Sequence, residues 1–361
     1  MSLNVLYIAI GILMFGVLIA VHETGHFSVS KLFNIKVNEF SIGMGPAIWH
    51  REKGETKYSL RVLPVGGFCA IEGEDGSSDD PRAFTAKPMW QRICVLAAGS
   101  GANLLIGFLI ALCLYLGYCA AGDYLVPTAR LAGFMEGCPY EGADGLLTGD
   151  RILSVDGWRV HSTRDFSLFM SLSDGQTVDI VLRRDGKRVK LEDYPLVLRE
   201  YDDGEGGTVW KYGLLFDQDL LTLPVALREA WYDCAYYARV VWASLQYLLS
   251  GRAGVNDLSG PVGMVKAIGD VGAQADTVGE GLANVFGLIA FIAVNLAVMN
   301  MLPIPALDGG HIFSMLVFWL IGKILRRKPS PKIESYIHAG GLVLLLGLMA
   351  FVMFNDIRKL F

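Results

Sequence analysis

Two histidines and a glutamate lie close together in an uncharged, apolar segment near the start of the chain. His22 and His26 are four residues apart, Glu23 follows the first of them, and no charged side chain precedes Glu23. On a helix, residues i and i+4 share one face, so the two imidazoles can bind the same metal ion. Glu23 could then act as a general base on a water molecule. The spacing indicates metal-dependent hydrolysis.

The apolar surroundings make this pattern more specific than a His-Glu-x-x-His match alone. Ionisable side chains inside a membrane span are costly and usually functional. The alternative is a purely structural role, in which the paired polar residues only hold helices together. A catalytic zinc site usually takes three protein ligands and leaves one position open, so a third ligand should lie at membrane depth.

Asp308 is the predicted third ligand. It ends a long uncharged run, with Pro303 and Pro305 before it and two glycines after it. Such residues break a regular helix, and irregular backbone at membrane depth is tolerated only inside protein or beside a watery cavity. An anionic carboxylate there needs a cation. His311, three residues later, is the competing ligand.

The composition is that of a membrane protein. The 361 residues are 53% hydrophobic and only 19% charged, against about 25% in soluble domains, and the mean hydropathy is +0.41. Residues 93–122, 281–307 and 335–355 carry no Asp, Glu, Lys or Arg. With residues 4–30 they make four segments long enough to span about 30 Å as helices. The first lacks a basic leader, which favours a retained span over a signal peptide.

Charge and cysteine content exclude other classes. The net charge of -5 gives no reason to expect nucleic-acid binding. The six cysteines are scattered without a Cys-x-x-Cys pair and are predicted to be packing residues. His50, His161 and His338 have plain surface or packing interpretations.

The distribution of basic residues predicts the orientation. The segment between the first two spans and the link between the last two are rich in Lys and Arg. The positive-inside rule places both in the cytoplasm. The N-terminus, residues 123–280 and the C-terminus are then outside it.

Two regions outside the spans are predicted to be rich in β-structure. Four short strand-like runs (37–42, 47–51, 57–63 and 68–72) follow the first span, with Gly43 and Gly45 as turn residues between the first two. They could offer a sheet edge to an extended peptide; a stabilising hairpin is the alternative. Strand patterns at 151–155, 177–183 and 188–191, with Asp-Gly turns at 156–157 and 185–186, indicate a soluble domain. Its Leu146–Gly157 block is similar to the PDZ domains of bacterial proteases.

An aromatic-rich helix is predicted over residues 221–250, lying at the membrane interface. A fifth span is the alternative. The Gly-rich stretch that follows is expected to be a connector or short helices.

On the basis of these residues and motifs, the chain resembles the site-2 protease family of intramembrane zinc metalloproteases. Within it, the resemblance is to the bacterial PDZ-containing branch, of the regulator of sigma-E protease type. It rests on His22–His26, on Asn300–Gly310 and on the PDZ-like block, and it extends to residues 82–93 and 259–263. The family usually has Ala-Gly-Pro where this chain has Ala98-Gly99-Ser100.

The resemblance implies a site and a mechanism. His22, His26 and Asp308 would be metal ligands for Zn2+, Glu23 the catalytic base and Asn300 a substrate-binding residue. Zinc would polarise the scissile carbonyl while Glu23 moves the proton of the attacking water to the leaving amine.

The expected fold class is a polytopic α-helical membrane protein with about four transmembrane helices, a membrane-associated β-rich insert and one extracytoplasmic PDZ domain. The expected divisions are 1–36 (first span with the His-Glu-x-x-His residues), 37–91 (cytoplasmic or re-entrant β-rich segment), 92–122 (second span), 123–218 (PDZ domain), 219–281 (interfacial amphipathic helix and connector), 282–322 (third span with the Leu-Asp-Gly-Gly residues), 323–334 (cytoplasmic loop) and 335–357 (fourth span).

The expected function is intramembrane zinc-dependent endopeptidase activity in regulated intramembrane proteolysis. The substrates would be single-span membrane proteins such as an anti-sigma factor or a signal-peptide remnant. The expected location is the bacterial inner (plasma) membrane, with lipid and such substrates as partners, no nucleic acid, and the active site toward the cytoplasmic side. The alternatives are a non-catalytic PDZ-presenting membrane scaffold, a metal transporter, and a different zinc peptidase on the cytoplasmic face. The sequence leaves the oligomeric state open.

Overall fold

The computed structural model describes residues 3–74, 78–122, 124–142, 144–173, 176–202, 207–252, 254, 260–325 and 331–359. Of the sequence-based interpretations, Ser259 and the basic residues Arg326, Arg327 and Lys328 lie outside these ranges.

The elements are named in chain order. They are α1 (Leu3–Leu32), β1 (Val37–Lys53), β2 (Thr56–Ile71), a 3-10 turn (Phe84–Ala86), α2 (Met89–Ala121), β3 (Leu125–Phe134), β4 (Arg151–Val155), β5 (Trp158–Arg159), α3 (Thr163–Leu172), β6 (Val178–Arg184), β7 (Lys187–Tyr194), β8 (Arg199–Asp202), β9 (Thr208–Lys211), β10 (Leu214–Leu220), α4 (Leu223–Leu249), α5 (Pro261–Ala273), α6 (Val278–Asn300), α7 (Asp308–Leu325) and α8 (Pro331–Arg358). The chain divides into two compact units, one of residues 1–114 and 244–361 and the other of residues 115–243.

Within the described residues, four helices are long and apolar enough to cross a membrane. They are Val5–Leu32 in α1, Met89–Ala121 in α2, Val278–Asn300 in α6 and Tyr336–Arg358 in α8. Each of the four predicted spans corresponds to one of these candidate helices. The aromatic-rich α4 is not among these helices of the described residues.

The third predicted span is interrupted as its prolines and glycines require. Helix α6 ends at Asn300, and α7 begins at Asp308 after seven intervening residues. Ala306 in the connecting segment has a φ of +74°, a left-handed conformation that non-glycine residues rarely adopt. The polypeptide therefore leaves the helix and re-enters one at the aspartate.

The β-rich insert of the first unit differs from the prediction in its connections. The four predicted runs are extended, but they join in pairs into two long strands instead of four separate ones. Residues 37–42 pair with both 57–60 and 67–71, while 47–53 pair with 56–61. Gly43 and Gly45, which the sequence suggested as turns, have φ near +88°. They bend β1 within the sheet as bulge-like irregularities.

The second unit contains an antiparallel sheet in the order β10-β3-β4-β6-β7, with β5 paired to β4 and a separate β8-β9 hairpin. The predicted strands at 151–155, 177–183 and 188–191 correspond to β4, β6 and β7. Both predicted Asp-Gly turns have positive φ at each residue, as type I′ hairpin turns require. The prediction did not include β3, β10 or the β8-β9 hairpin.

Helix α3 packs on this sheet and begins with a capping box. The Ser162 side chain accepts a hydrogen bond from the Asp165 N–H, and Asp165 reciprocates at the Ser162 backbone. Phe166 and Phe169 of α3 belong to the core of the unit, together with Ile152, Ile180 and Leu182 from β4 and β6. Strand β10 lies at one edge of the sheet.

A buried ion pair stabilises the turn before β4. The Asp150 carboxylate is 1% exposed and accepts hydrogen bonds from Arg184 at both oxygens, at 2.9 and 2.7 Å, and from the Leu147 N–H at 2.8 Å. We expect Asp150→Asn to destabilise this unit by about 3 kcal/mol, because removing one partner of a buried pair leaves the other charge uncompensated. The measurement is the urea concentration at which trypsin cleaves the unit in the detergent-solubilised full chain.

Glu192→Gln is the matched control for this substitution. Glu192 pairs with Lys190 at 2.7 Å, but both side chains are more than half exposed. An exposed pair contributes less than about 1 kcal/mol, so the control should behave nearly as wild type. Equal destabilisation by the two substitutions would contradict the role assigned to Asp150.

Candidate metal centre

The two histidines of α1 point into the first unit and meet at their ring edges. His22 and His26 are each 8% exposed, and their Nε2 atoms lie 3.1 Å apart. The two histidines lie one helical turn apart on the same face of α1, as their i, i+4 spacing predicts. The helix crosses α2 very closely here, because a Cβ on Gly25 would lie 2.3 Å from the Ala98 carbonyl oxygen.

Asp308 reaches the same point from the start of α7. Its Oδ2 lies 3.2 Å from His22 Nε2 and 3.5 Å from His26 Nε2. Two glycines allow this approach. A Cβ on Gly309 would lie 2.3 Å from the Met301 carbonyl, and one on Gly310 would lie 2.1 Å from the Ile304 carbonyl oxygen. The segment before α7 thus folds back against the first turn of that helix.

Hydrogen bonding fixes the protonation of one imidazole. His26 Nδ1 lies 2.8 Å from the Val95 carbonyl oxygen, which can only accept. Nδ1 therefore carries the proton, and in the neutral ring the Nε2 lone pair faces the cluster. A backbone carbonyl holding the distal ring nitrogen is a usual partner of a metal-binding histidine.

The cluster fits a cation. Ligand atoms of His22, His26 and Asp308 all lie within 4.8 Å of one another. Asp308 Oδ2 is buried and has no hydrogen-bond partner among the described residues. Such an oxygen beside histidine lone pairs needs a positive charge, and two imidazoles with one carboxylate form a suitable donor set for zinc with an open position.

The competing ligand His311 lies apart from this cluster. Its ring stacks on His338 of α8 with centroids 3.7 Å apart. His338 Nδ1 accepts a hydrogen bond from the Ala306 N–H at 3.2 Å, and its Nε2 lies 3.1 Å from Ser314 Oγ. The sequence suggested only a surface or packing role for His338, whereas here it supports the segment that leads to Asp308.

Glu23 and Asn300 flank the cluster. The Glu23 side chain lies against β2, where a Cβ on Gly67 would be 3.6 Å from its Cγ, and it interacts electrostatically with His22, His26 and Asp308. Asn300, the last residue of α6, places its amide nitrogen 3.4 Å from His22 Nε2. The five residues singled out from the sequence are therefore brought together by α1, α6 and α7.

Sequence reasoning missed two contributions from α2. Asn103 is 1% exposed, with its amide nitrogen 3.4 Å from His22 Nδ1 and its Oδ1 lacking a partner among the described residues. A half-turn of the amide would let Oδ1 accept from Nδ1–H and leave Nε2 for a ligand. Its signal in the sequence is a lone amide inside an uncharged span.

Gly99 is the second contribution. A Cβ at this position would lie 2.5 Å from His26 Nε2 and 2.6 Å from His22 Cε1. Only glycine leaves room for the two imidazoles beside α2. The sequence showed this residue only as part of an Ala-Gly-Ser run.

Comparison with known proteins agrees with this geometry. The family model described as "Peptidase family M50" matches residues 10–348. The Clostridium perfringens protein named "Putative zinc metalloprotease CPE1693" is 35% identical over 353 residues, covering 98% of each chain. "Regulator of sigma-W protease RasP" of Bacillus subtilis is 26% identical, covering 97% of this chain and 98% of its own. "Metalloprotease MmpA" of Caulobacter vibrioides is 27% identical, covering 95% and 93%.

These matches extend over nearly the whole chain, including both helices that carry the histidines and the aspartate. They confirm the family resemblance, the metalloprotease activity and the zinc cofactor that the sequence predicted. The chain belongs to peptidase family M50, the site-2 protease family of zinc metalloproteases.

Proposed function

We propose that His22, His26 and Asp308 bind the zinc ion and that the enzyme hydrolyses peptide bonds within the membrane-spanning segments of single-span proteins. The convergence of three lone-pair donors, one of them a buried carboxylate oxygen without a hydrogen-bond partner among the described residues, carries this proposal. Zinc supplies Lewis-acid polarisation of a carbonyl group and makes water more acidic.

The other residues of the cluster have distinct roles in the proposal. Glu23 accepts the proton of the attacking water and delivers it to the leaving amine. Glu23 lies close to the three proposed ligands, but its carboxylate is not one of the grouped ligand atoms, and this supports its role as the base. The amide of Asn300 hydrogen-bonds the substrate backbone from the other side of His22.

The substrate adopts an extended conformation beside β2 in this proposal. Residues 67–71 pair with residues 37–42 on one side only, among the described residues, so their other edge offers backbone groups for strand addition. Gly67 lies near the Glu23 side chain. A membrane-spanning helix must unwind to expose its peptide bonds, and pairing with this edge would hold the unwound segment beside the catalytic base.

The sheet of the second unit forms, in this proposal, a PDZ domain over residues 123–218 that filters or docks substrates. Strand β10 lies at the edge of the sheet, and its Phe216 packs against Phe166 of α3 with ring centroids 5.4 Å apart. A strand edge beside a helix is the place where PDZ domains add an extended peptide.

The topology follows from the charges that flank the four candidate spans. We infer that the N-terminus and residues 123–280 lie outside the cytoplasm, in the bacterial inner membrane, because the basic segments lie on the opposite side. His22 and His26 fall in the second half of the first candidate span, which supports an active site toward the cytoplasmic side. The name of the Bacillus subtilis relative supports anti-sigma factors as substrates; signal-peptide remnants remain the second class.

We expect Glu23→Gln to abolish cleavage while zinc is retained. Loss of a general base typically reduces a rate by about 10²–10⁴-fold, and the amide does not remove any of the three ligand atoms. The measurement compares cleavage of a single-span reporter with a short ectodomain in proteoliposomes, with the zinc content of each preparation determined by elemental analysis.

Thr24→Val serves as the control on the same helix, because Thr24 is exposed and its hydroxyl only donates to the Ala20 carbonyl. Wild type and Thr24→Val should cleave the reporter and bind equal zinc. Cleavage by Glu23→Gln at the wild-type rate would refute its role as the base. Absence of both zinc and cleavage in wild type would favour the scaffold alternative.

We expect Gly99→Ala to weaken zinc binding by about tenfold or more, the range seen when the shell around metal ligands is disturbed. The new Cβ would lie within 3 Å of both imidazoles and would displace them from Asp308. The measurement is zinc retained after dialysis against graded concentrations of a chelator.

Gly101→Ala is the matched control, since a Cβ there meets no heavy atom within 4 Å. It adds the same methyl group to the same helix, two residues away. Similar zinc retention in both variants would show that α2 does not limit the space around the histidines.

A further inference from the structure

Four arginines stand side by side across the sheet of the second unit. In the strand register Arg130 of β3 is opposite Arg151 of β4, Arg151 is opposite Arg183 of β6, and Arg183 is opposite Arg188 of β7. All four are exposed. Neighbouring strands are about 4.8 Å apart, so this arginine row places four positive charges along roughly 14 Å of one sheet face.

The described acidic residues do not neutralise the row. None of the four guanidinium groups has a carboxylate within the 4.0 Å of an ion pair among the described residues. Among the described residues, the row makes one side-chain hydrogen bond, a long one from Arg130 Nε to the Gly149 carbonyl oxygen at 3.4 Å. Like charges directly opposite on adjacent strands are destabilising, so the row costs stability unless an anion binds there.

A cavity of about 460 Å³ opens beside the row and is lined by three of its members, Arg130, Arg151 and Arg183. Most acids on its wall have partners of their own: Asp150 pairs with Arg184, and Asp219 and Glu229 pair with Arg228. Asp185 is the one lining acid without an ion pair among the described residues. Among the described residues, three lining arginines and one lining aspartate have no ion-pair partner, so the cavity has an excess of positive charge.

Neutral polar groups, among them His161 and Thr148, also line the wall. Burial lowers the pKa of His161, and the positive charges of Arg239 and Arg151 contribute in the same direction. The imidazole is therefore neutral at pH 7 and can donate a hydrogen bond without adding charge. Thr148 lies in the turn before β4 and brings a hydroxyl group to the same wall.

We propose that this cavity binds a phosphate group, as a phospholipid headgroup or as a free phosphate. The proposal concerns the second unit alone and does not depend on the assignment of the zinc ligands. Guanidinium groups bind phosphate oxygens by paired hydrogen bonds. A phosphate offers three or four oxygens and up to two negative charges, which matches several adjacent forks, whereas a single carboxylate is satisfied by one arginine.

The test uses the full chain in detergent, with inorganic phosphate as the first probe at constant ionic strength. Wild type should bind phosphate saturably by calorimetry. Arg151→Gln and Arg183→Gln should each reduce the affinity about tenfold or more, the equivalent of one charge-assisted hydrogen bond. Without phosphate, both variants should resist urea at least as well as wild type, because cross-strand repulsion is relieved.

Lys211→Gln is the control, because it removes one positive charge from an exposed position of β9 outside the row. It should bind phosphate as wild type does. A second arm titrates dihexanoyl phosphatidylglycerol, with dihexanoyl phosphatidylcholine as its zwitterionic reference, and then adds inorganic phosphate as competitor.

The two arms identify the source of the phosphate. Tighter binding of phosphatidylglycerol, lost in Arg151→Gln, assigns a lipid headgroup; binding of free phosphate that the lipid does not displace assigns a soluble one. Equal and non-saturable effects in wild type, the arginine variants and Lys211→Gln would overturn the proposal. Saturable binding of an acidic peptide in place of phosphate would overturn it as well.

Discussion

The structure of the first unit depends on one electrostatic constraint, the meeting of three lone-pair donors where water is scarce. His22, His26 and Asp308 come from helices almost 300 residues apart in the chain, and their ligand atoms lie within 4.8 Å of one another. Without a cation, a buried carboxylate oxygen lacking a hydrogen bond would cost several kcal/mol. A zinc ion bound there, as proposed above, would make the same arrangement stabilising, and folding of this region would then be coupled to metal binding.

The close approach of backbones makes that meeting sterically feasible. Gly25 and Gly99 let α1 and α2 touch, and Gly309 and Gly310 let the segment after α6 fold against the start of α7. Small residues at helix crossings are the usual means of helix packing in membranes, where apolar burial provides little driving force for helix association. Here they have a second effect, because the space they leave is filled by the imidazoles and by the backbone before Asp308.

Much of this could be read from the sequence, and the part that could not has a physical reason. A helical period placed His22 and His26 on one face, and helix-breaking residues around an isolated acid identified Asp308. The Val95 carbonyl and the Asn103 amide carry no comparable signal, because a backbone acceptor is present at every residue and an amide in a span has several uses. Local glycine signals also misled: Gly43 and Gly45 bend a continuous strand, and only the register of β1 against β2 distinguishes a bend from a turn.

The arginine row illustrates the same limit in the second unit. Its members are separated by 21, 32 and 5 positions in the sequence, so no periodicity relates them until the strands are aligned. Most acids that line the cavity beside it are paired with other arginines: Asp150 with Arg184, and Asp219 and Glu229 with Arg228. Because the unit does form internal ion pairs, the unpaired row is not explained by a shortage of carboxylates. Repulsion concentrated on one face beside a cavity is a stored electrostatic cost that an external anion can offset.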